Sequence, residues 1–145
     1  MAVSRRPFLL GLFALVATPA AATETASAFV RRLYTTGKTP LSIYAPPLRA
    51  EIVRDRARDG NRLDFDWLSG GQEEPKIRGL KVVTLNTSGP DRATVLASFT
   101  NWSEARERRF ELIRQGGAWR ITDVYMAPEE LRLTEVLATP TSDEE

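Results

Sequence analysis

Two aspartates separated by one residue, Asp64 and Asp66, are the first side chains in this sequence whose spacing could support chemistry. On an extended segment, residues two apart share one side, with Cα atoms roughly 6–7 Å apart. Two carboxylates held that close in a dry pocket would raise the pKa of one of them, which suits general acid–base catalysis. The alternative is that Asp66 caps a short turn over 67–69, while Asp64 lies in solvent or pairs with an arginine.

A third acid, Asp123, lies in a segment that alternates like a strand and shares parity with Ile121 and Tyr125. That parity predicts an inward-facing carboxylate. The alternative is a bulge at the strand end that turns Asp123 outward, or a salt bridge to Arg120 or Arg109. Asp64, Asp66 and Asp123 are therefore the candidate catalytic residues.

Aromatic side chains with polar tips form a second group of candidates, because they can line a pocket with apolar walls and a few hydrogen-bonding atoms. We assign Tyr34, Tyr44, Trp67 and Tyr125 to a candidate ligand-binding site. The alternative is that they pack in the core, as aromatic residues of small domains usually do.

The composition excludes several chemistries outright. The 145 residues include no Cys and no His, so thiol nucleophiles, disulfides, thiolate or imidazole metal sites and Ser–His–Asp triads are ruled out. We expect no metal and no cofactor. The net charge is +1 and becomes −1 if Arg5 and Arg6 are removed with a leader, so no strong field favours nucleic acid.

The elements that would position these candidates begin with two helices. Apolar residues at helical spacing predict a helix over 24–36, with Thr25 or Ser27 as its cap and Gly37 as its end. A second helix is predicted over 47–58, with Pro47 in its first turn.

Strands follow the helices. Period-two alternation predicts strands over 76–86, 92–102, 107–114 and 118–126, and the first of them is apolar on both faces. A final helix is predicted to open at Pro128. Helices followed by hairpin-linked strands predict one α+β domain over 23–138, with the helices on one face of a four-stranded antiparallel sheet.

The N-terminus predicts export. A charged start, an apolar stretch over 8–17 and the small residues Ala20–Ala22 are typical of a cleaved signal peptide over 1–22. The segment Ser4–Leu9 matches the twin-arginine pattern, and a general secretory signal is the alternative. We therefore expect a periplasmic or extracellular protein with no membrane span after cleavage. Residues 139–145 are predicted to be a disordered acidic tail.

Several of these features together resemble an exported bacterial family, domain of unknown function 3828. They are the aromatic first helix with Tyr34, the Leu-Asp-Phe-Asp segment at 63–66, Gln72-Glu73, and the closing segment 117–124. The resemblance implies a nuclear-transport-factor-like fold, in which a curved sheet wraps around the helices to form a cone with a pocket. It adds Gln72 to the candidate ligand-binding residues, and it implies that an inward Asp123 would stand where isomerases of that superfamily carry a base or a hydrogen-bond donor.

The functional expectation is a non-catalytic binding module for either a small apolar ligand or an envelope protein, acting as a monomer or a homodimer. The alternative is a cofactor-free isomerase, dehydratase or hydrolase that uses a pocket aspartate as its base. Fold alone does not choose between these functions.

Overall fold

The computed structural model describes residues 23–139. The predicted signal peptide over 1–22 and residues 140–145 of the predicted tail lie outside the described residues, whereas Thr139 is the C-cap of the last helix. The elements, in chain order, are α1 Ala26–Thr36, a 3₁₀ turn Leu41–Ile43, α2 Pro46–Arg56, β1 Ile77–Thr87, β2 Arg92–Asn101, β3 Glu104–Gln115, β4 Ala118–Ala127, β5 Leu131–Arg132 and α3 Leu133–Ala138.

The two predicted N-terminal helices are confirmed, and their ends have local causes. The Thr25 side chain accepts a hydrogen bond from the Ala28 backbone amide at 3.1 Å, which caps α1. Gly37 ends α1 in the left-handed region, at φ +63°, and its amide donates to the Leu33 carbonyl. Helix α2 starts at Pro46, because proline has no amide to leave unsatisfied in a first turn.

The sheet is antiparallel and open, with strand order β1-β2-β3-β4-β5. The predicted alternation is confirmed in β2, where Ala93, Val95, Ala97 and Phe99 are buried and the residues between them are partly exposed. These inward residues and the helices share one hydrophobic core, to which α1 contributes Phe29, Val30 and Leu33, α2 contributes Leu48 and Ile52, and α3 contributes Leu133 and Leu137. The fold is therefore α+β.

The C-terminal part differs from the prediction, which was wrong in placing a helix start at Pro128 and in expecting four strands. Residues 128–130 form a turn, the two-residue strand β5 pairs with β4, and α3 begins only at Leu133. Glu130 in this turn has a φ of +56°, which a helix does not accommodate. Glu129 is held by two arginine side chains instead of lying in a first helical turn.

The run that is apolar on both faces lies in β1. It is an edge strand, and Val83 and Leu85 are each 52% exposed. Neither residue belongs to the hydrophobic core that the sheet shares with the helices, and Val83 lies opposite Leu96 of β2.

A bulge in β4 changes the predicted parity. Leu112 of β3 pairs with Ile121 and Glu111 pairs with Asp123, so Thr122 is an extra residue in β4. Past the bulge, Val124 and Met126 are fully buried, whereas Tyr125 is half-buried. The prediction that Tyr125 shares the inward parity of Ile121 is therefore wrong.

Candidate functional site

The segment 61–73 connects α2 to β1 without regular secondary structure, and side chains organise its backbone. Asp55, at the end of α2, is 2% exposed, and its two carboxylate oxygens accept hydrogen bonds from the amides of Arg62 and Leu63 at 2.9 and 3.0 Å. Asn61 donates from its side chain to the Leu63 carbonyl at 3.1 Å. A buried carboxylate needs such donors, and here they fix the direction in which the segment leaves α2.

Asp66 organises the tight loop that follows. Its Oδ1 accepts from the Leu68 amide at 3.0 Å, and its Oδ2 accepts from the Ser69 hydroxyl at 2.6 Å. The loop closes where the Gly70 amide donates to the Asp66 carbonyl and the Asp66 amide donates to the Gly71 carbonyl. This is the turn-capping arrangement named above as the alternative for Asp66. Asp64 is exposed, because Leu63 and Phe65 are the residues of this stretch that pack against the core.

The loop is fastened to the sheet by Arg108 of β3, which is completely buried. Its Nε donates to the Trp67 carbonyl at 2.6 Å, its Nη1 donates to the Ala127 carbonyl at 3.1 Å, and both terminal nitrogens contact Glu129. Glu129 also pairs with Arg106. A buried guanidinium with this many acceptors is a fixed part of the structure rather than a free charge.

The electrostatics of this cluster favour an ionised Glu129. Burial alone would raise the pKa of the Glu129 carboxyl, but the hydrogen bond from Arg108 and the charges of Arg108 and Arg106 outweigh that effect, so the pKa lies below its ordinary value of 4.5. Sequence reasoning missed Arg108. The alternation along β3 could have revealed it, because Arg108, Phe110 and Leu112 are alternate residues and their side chains point to the same, inner face of the sheet.

Tyr44 and Trp67 meet at the inner end of the segment. The Trp67 indole N–H donates to the Tyr44 hydroxyl at 3.1 Å, and the ring centroids are 6.2 Å apart. Tyr44 is held beside β4, because the Ala45 amide donates to the Ile121 carbonyl at 2.8 Å. Burial raises the pKa of the Tyr44 hydroxyl, so the group stays neutral and hydrogen-bonding at physiological pH.

Tyr34 lies against the other side of the loop. Its hydroxyl donates to the Leu68 carbonyl at 3.2 Å, and its ring is 5.1 Å from Phe99 and 6.4 Å from Phe110. Burial raises the pKa of this hydroxyl well above its ordinary value of 10.0, against the opposing charge of Arg108. Tyr34 therefore supports the loop from inside the core.

A cleft runs along the segment and has two connected parts. The deep part, about 160 Å³, has walls that include Tyr44, Ile52, Phe65 and Trp67. The shallow part, about 520 Å³, is lined by Asn61, Leu63, Asp64, Phe65, Asp66, Gly71, Gln72 and Glu73. Four residues line both parts: Asn61, Leu63, Phe65 and Asp66. The cleft thus brings together five of the predicted site residues: Tyr44, Asp64, Asp66, Trp67 and Gln72.

Asp123 and Tyr125 lie away from this cleft. Asp123 accepts from the Thr134 amide at 3.1 Å and from its hydroxyl at 3.0 Å, so it caps the start of α3 from the neighbouring strand. Arg132 contacts it at 3.3 Å. The bulge that was the alternative for Asp123 is present in β4. The arginine that pairs with Asp123 is Arg132, not Arg109 or Arg120. Hydrogen bonding to Glu111, with a smaller contribution from Asp123, raises the pKa of Arg132, and the Tyr125 ring lies between the guanidinium groups of Arg109 and Arg132.

Within residues 23–139, no three acidic side chains are grouped so that they could hold a metal ion. The helices of the same range are too short or too polar to cross a membrane.

Chemically, the arrangement offers a small recess with a neutral phenol and an indole at its wall. The recess adjoins a polar region with three carboxylates and two side-chain amides. Comparison of the chain with protein-family models, with curated proteins and with solved structures finds no match.

Proposed function

We propose that this protein is an exported, non-catalytic module that binds a small ligand in the cleft along residues 61–73. The observation that carries the proposal is the cleft itself, which combines an aromatic recess with hydrogen-bonding groups at its mouth. Concave sites with apolar walls and a few polar groups are the usual form of small-molecule sites. The N-terminal sequence, with its twin-arginine-like Ser4–Leu9, supports export.

The recess limits the size of the group that enters it. A cavity of about 150 Å³ can hold one benzene molecule, so a recess of about 160 Å³ has room for a single six-membered ring. Because its lining also includes Thr39, Asp55 and Arg56, the ring should carry polar substituents. The lining of the shallow part includes Asp64, Asp66 and Glu73 and no basic residue, and the lining of the recess adds Asp55 and Arg56. This balance favours a ligand whose ring bears a positively charged or hydrogen-donating substituent.

Binding is favoured over catalysis because the oxygens of two candidate bases are already used. Asp66 accepts from Leu68 and Ser69, and Asp123 accepts from Val124, Thr134 and Arg132. Asp64 is exposed, and general acid–base chemistry gains most from a desolvated group.

We further infer that the chain is a divergent member of the exported family it resembles and that the sheet curves around the helices as in nuclear-transport-factor-like cones. The support is the order of elements, with two leading helices whose apolar faces share a core with hairpin-linked antiparallel strands.

Benzylamine, benzyl alcohol and benzoate test the proposal, because they share a ring and differ in charge. The reporter is the Trp67 indole proton in an NMR titration, since this proton bonds to Tyr44 at the wall of the recess. We expect benzylamine to shift this signal and the amides of 61–73 at millimolar concentration, benzyl alcohol to act more weakly, and benzoate least.

Two variants provide the controls. Asn61 is exposed and lines both parts of the cleft, so Asn61→Phe should block entry at little cost to folding. Asp64→Asn should weaken benzylamine binding and leave benzyl alcohol unaffected. If none of the three compounds shifts the Trp67 signal, or if Asn61→Phe binds like the native chain, the cleft is not the site.

A further inference from the structure

The tip of the β2–β3 hairpin contains an unusual residue for its backbone conformation. The hairpin turns over Trp102 and Ser103, and Trp102 has a φ of +56°. The left-handed region favours glycine, and a bulky residue there costs on the order of 1–2 kcal/mol. Strain of this kind persists only where surrounding contacts maintain it, and it concentrates at functional positions.

The surrounding contacts hold the indole in one orientation. The Trp102 backbone amide donates to the Lys76 carbonyl at 3.0 Å, and its indole N–H donates to the Glu74 carbonyl at 3.2 Å. The Lys76 ammonium lies 4.6 Å from the ring centroid and covers one face. Even so, Trp102 is 51% exposed, whereas the chain's other two tryptophans, Trp67 and Trp119, are 4% and 6% exposed. The ring is thus fixed and presented to solvent.

A pocket of about 260 Å³ lies beside the ring. Besides Trp102, the polar residues that line it include Gln72, Glu73, Ser103, Glu104 and Arg106. Glu104 and Arg106 pair with each other, which fixes their positions at the edge of the pocket. Small-molecule sites usually measure about 300–1,000 Å³, so this pocket is the size of a subsite for one ring.

We propose that Trp102 and this pocket bind one sugar ring of an oligosaccharide. A pyranose has a flat face of C–H groups and a rim of hydroxyl groups. The C–H face of the sugar would stack on the face of the indole that Lys76 does not cover. The sugar hydroxyl groups would form hydrogen bonds with the amide, hydroxyl, carboxylate and guanidinium groups of the pocket. A cationic peptide side chain fits less well, because the Lys76 ammonium already occupies the opposite face of the same ring. This pocket shares Gly71, Gln72 and Glu73 with the shallow part of the cleft, but none of its lining residues belongs to the recess at Tyr44. Sugar binding at Trp102 therefore does not depend on a ligand in the recess.

Tryptophan fluorescence tests this directly, because Trp102 is the exposed indole. The probes are cellopentaose, chitopentaose and maltopentaose, each titrated into the native chain with acrylamide as quencher. We expect at least one of them to shift the emission to shorter wavelength and to remove the component that acrylamide quenches. If no probe does either, the proposal fails.

Trp102→Gly is the informative variant, because glycine accepts the positive φ and the turn keeps its conformation. We expect oligosaccharide binding, measured by calorimetry, to be lost while the fold is retained. Gln72→Ala and Ser103→Ala, which leave the hairpin intact, should each weaken binding by about fivefold to tenfold through one lost hydrogen bond. Native-like affinity in Trp102→Gly, or in both alanine variants, would overturn the assignment. Asn61→Phe should bind the sugar normally, because Asn61 lines both parts of the cleft but not this pocket.

Discussion

Replacing Gly70 by alanine tests whether the loop over 66–71 is fastened as described. Gly70 has a φ of +84°, and a Cβ there would lie 2.5 Å from Nη2 of Arg108, 2.6 Å from Nη1 of Arg106 and 2.7 Å from Cδ of Arg106. An arginine tip can usually move aside. Arg108 cannot do so cheaply, because it is fully buried and its nitrogens are bonded to the Trp67 carbonyl and to Glu129.

Gly89 is the matched control. Its φ is +74°, but a Cβ there would meet nothing within 4 Å. Gly89→Ala therefore carries only the backbone strain, about 1 kcal/mol. Gly70→Ala adds overpacking against a buried arginine pair, which costs about 1–3 kcal/mol more, for a total of about 2–4 kcal/mol.

Urea unfolding followed by tryptophan fluorescence measures the difference. With a urea dependence of about 2 kcal/mol per molar, the midpoint for Gly70→Ala should lie about 1–2 M below that of the native chain. The NMR signal of the Trp67 indole proton should also move, because the backbone carbonyl of Trp67 accepts the hydrogen bond from Arg108. If the two variants lose the same stability within about 0.5 kcal/mol, the arginines do not confine Gly70 and the account of the loop is wrong.

Three further outcomes are expected. Burial raises the pKa values of Tyr34 and Tyr44 in the fold, whereas in the unfolded chain both ionise near 10.0. The contribution of the two tyrosines to stability should therefore be constant below that pH and be lost above it, by up to about 1.4 kcal/mol per pH unit for each tyrosine. Urea midpoints that stay level between about pH 9 and pH 11 would contradict this. Glu129→Gln should cost about 2–3 kcal/mol at neutral pH, because it leaves the buried Arg108 without its anionic partner. Since the pKa of Glu129 is lowered in the fold, the native chain loses this contribution as pH falls below 4.5, so the stability difference between native and variant proteins should shrink in acid; a constant difference would refute the ion-pair explanation. Changing both arginines of Ser4–Leu9 to lysine should leave the precursor unprocessed in the cytoplasm, as fractionation and immunoblotting would show, and normal processing would exclude the twin-arginine route.

Parts of the candidate site could be predicted, and parts could not. The spacing of the Leu-Asp-Phe-Asp segment at 63–66 predicted that Asp64 and Asp66 share one side of the chain, and the shallow part of the cleft contains both of them together with Gln72. The sequence did not indicate that Tyr44 reaches Trp67, because the two residues are 23 positions apart and meet only after α2 is folded between them. Tyr34 and Tyr44 looked equivalent in sequence, yet one supports the loop and the other lines the recess.

Local signals determined the two N-terminal helices and the long strands. The spacing of apolar residues, the Thr25 cap, Gly37 and the alternation along β2 each depend on neighbours a few residues away, so the chain specifies them before it folds. Tertiary structure alone decided the rest. The extra residue at Thr122 reverses which side chains of β4 face inward. Glu129 lies in a turn, where it pairs with an arginine of β3, and not in the helix that the sequence predicted there. Hydrogen bonds and ion pairs between residues far apart in the sequence form only when the strands and loops come together. The spacing of residues within one segment therefore does not predict them.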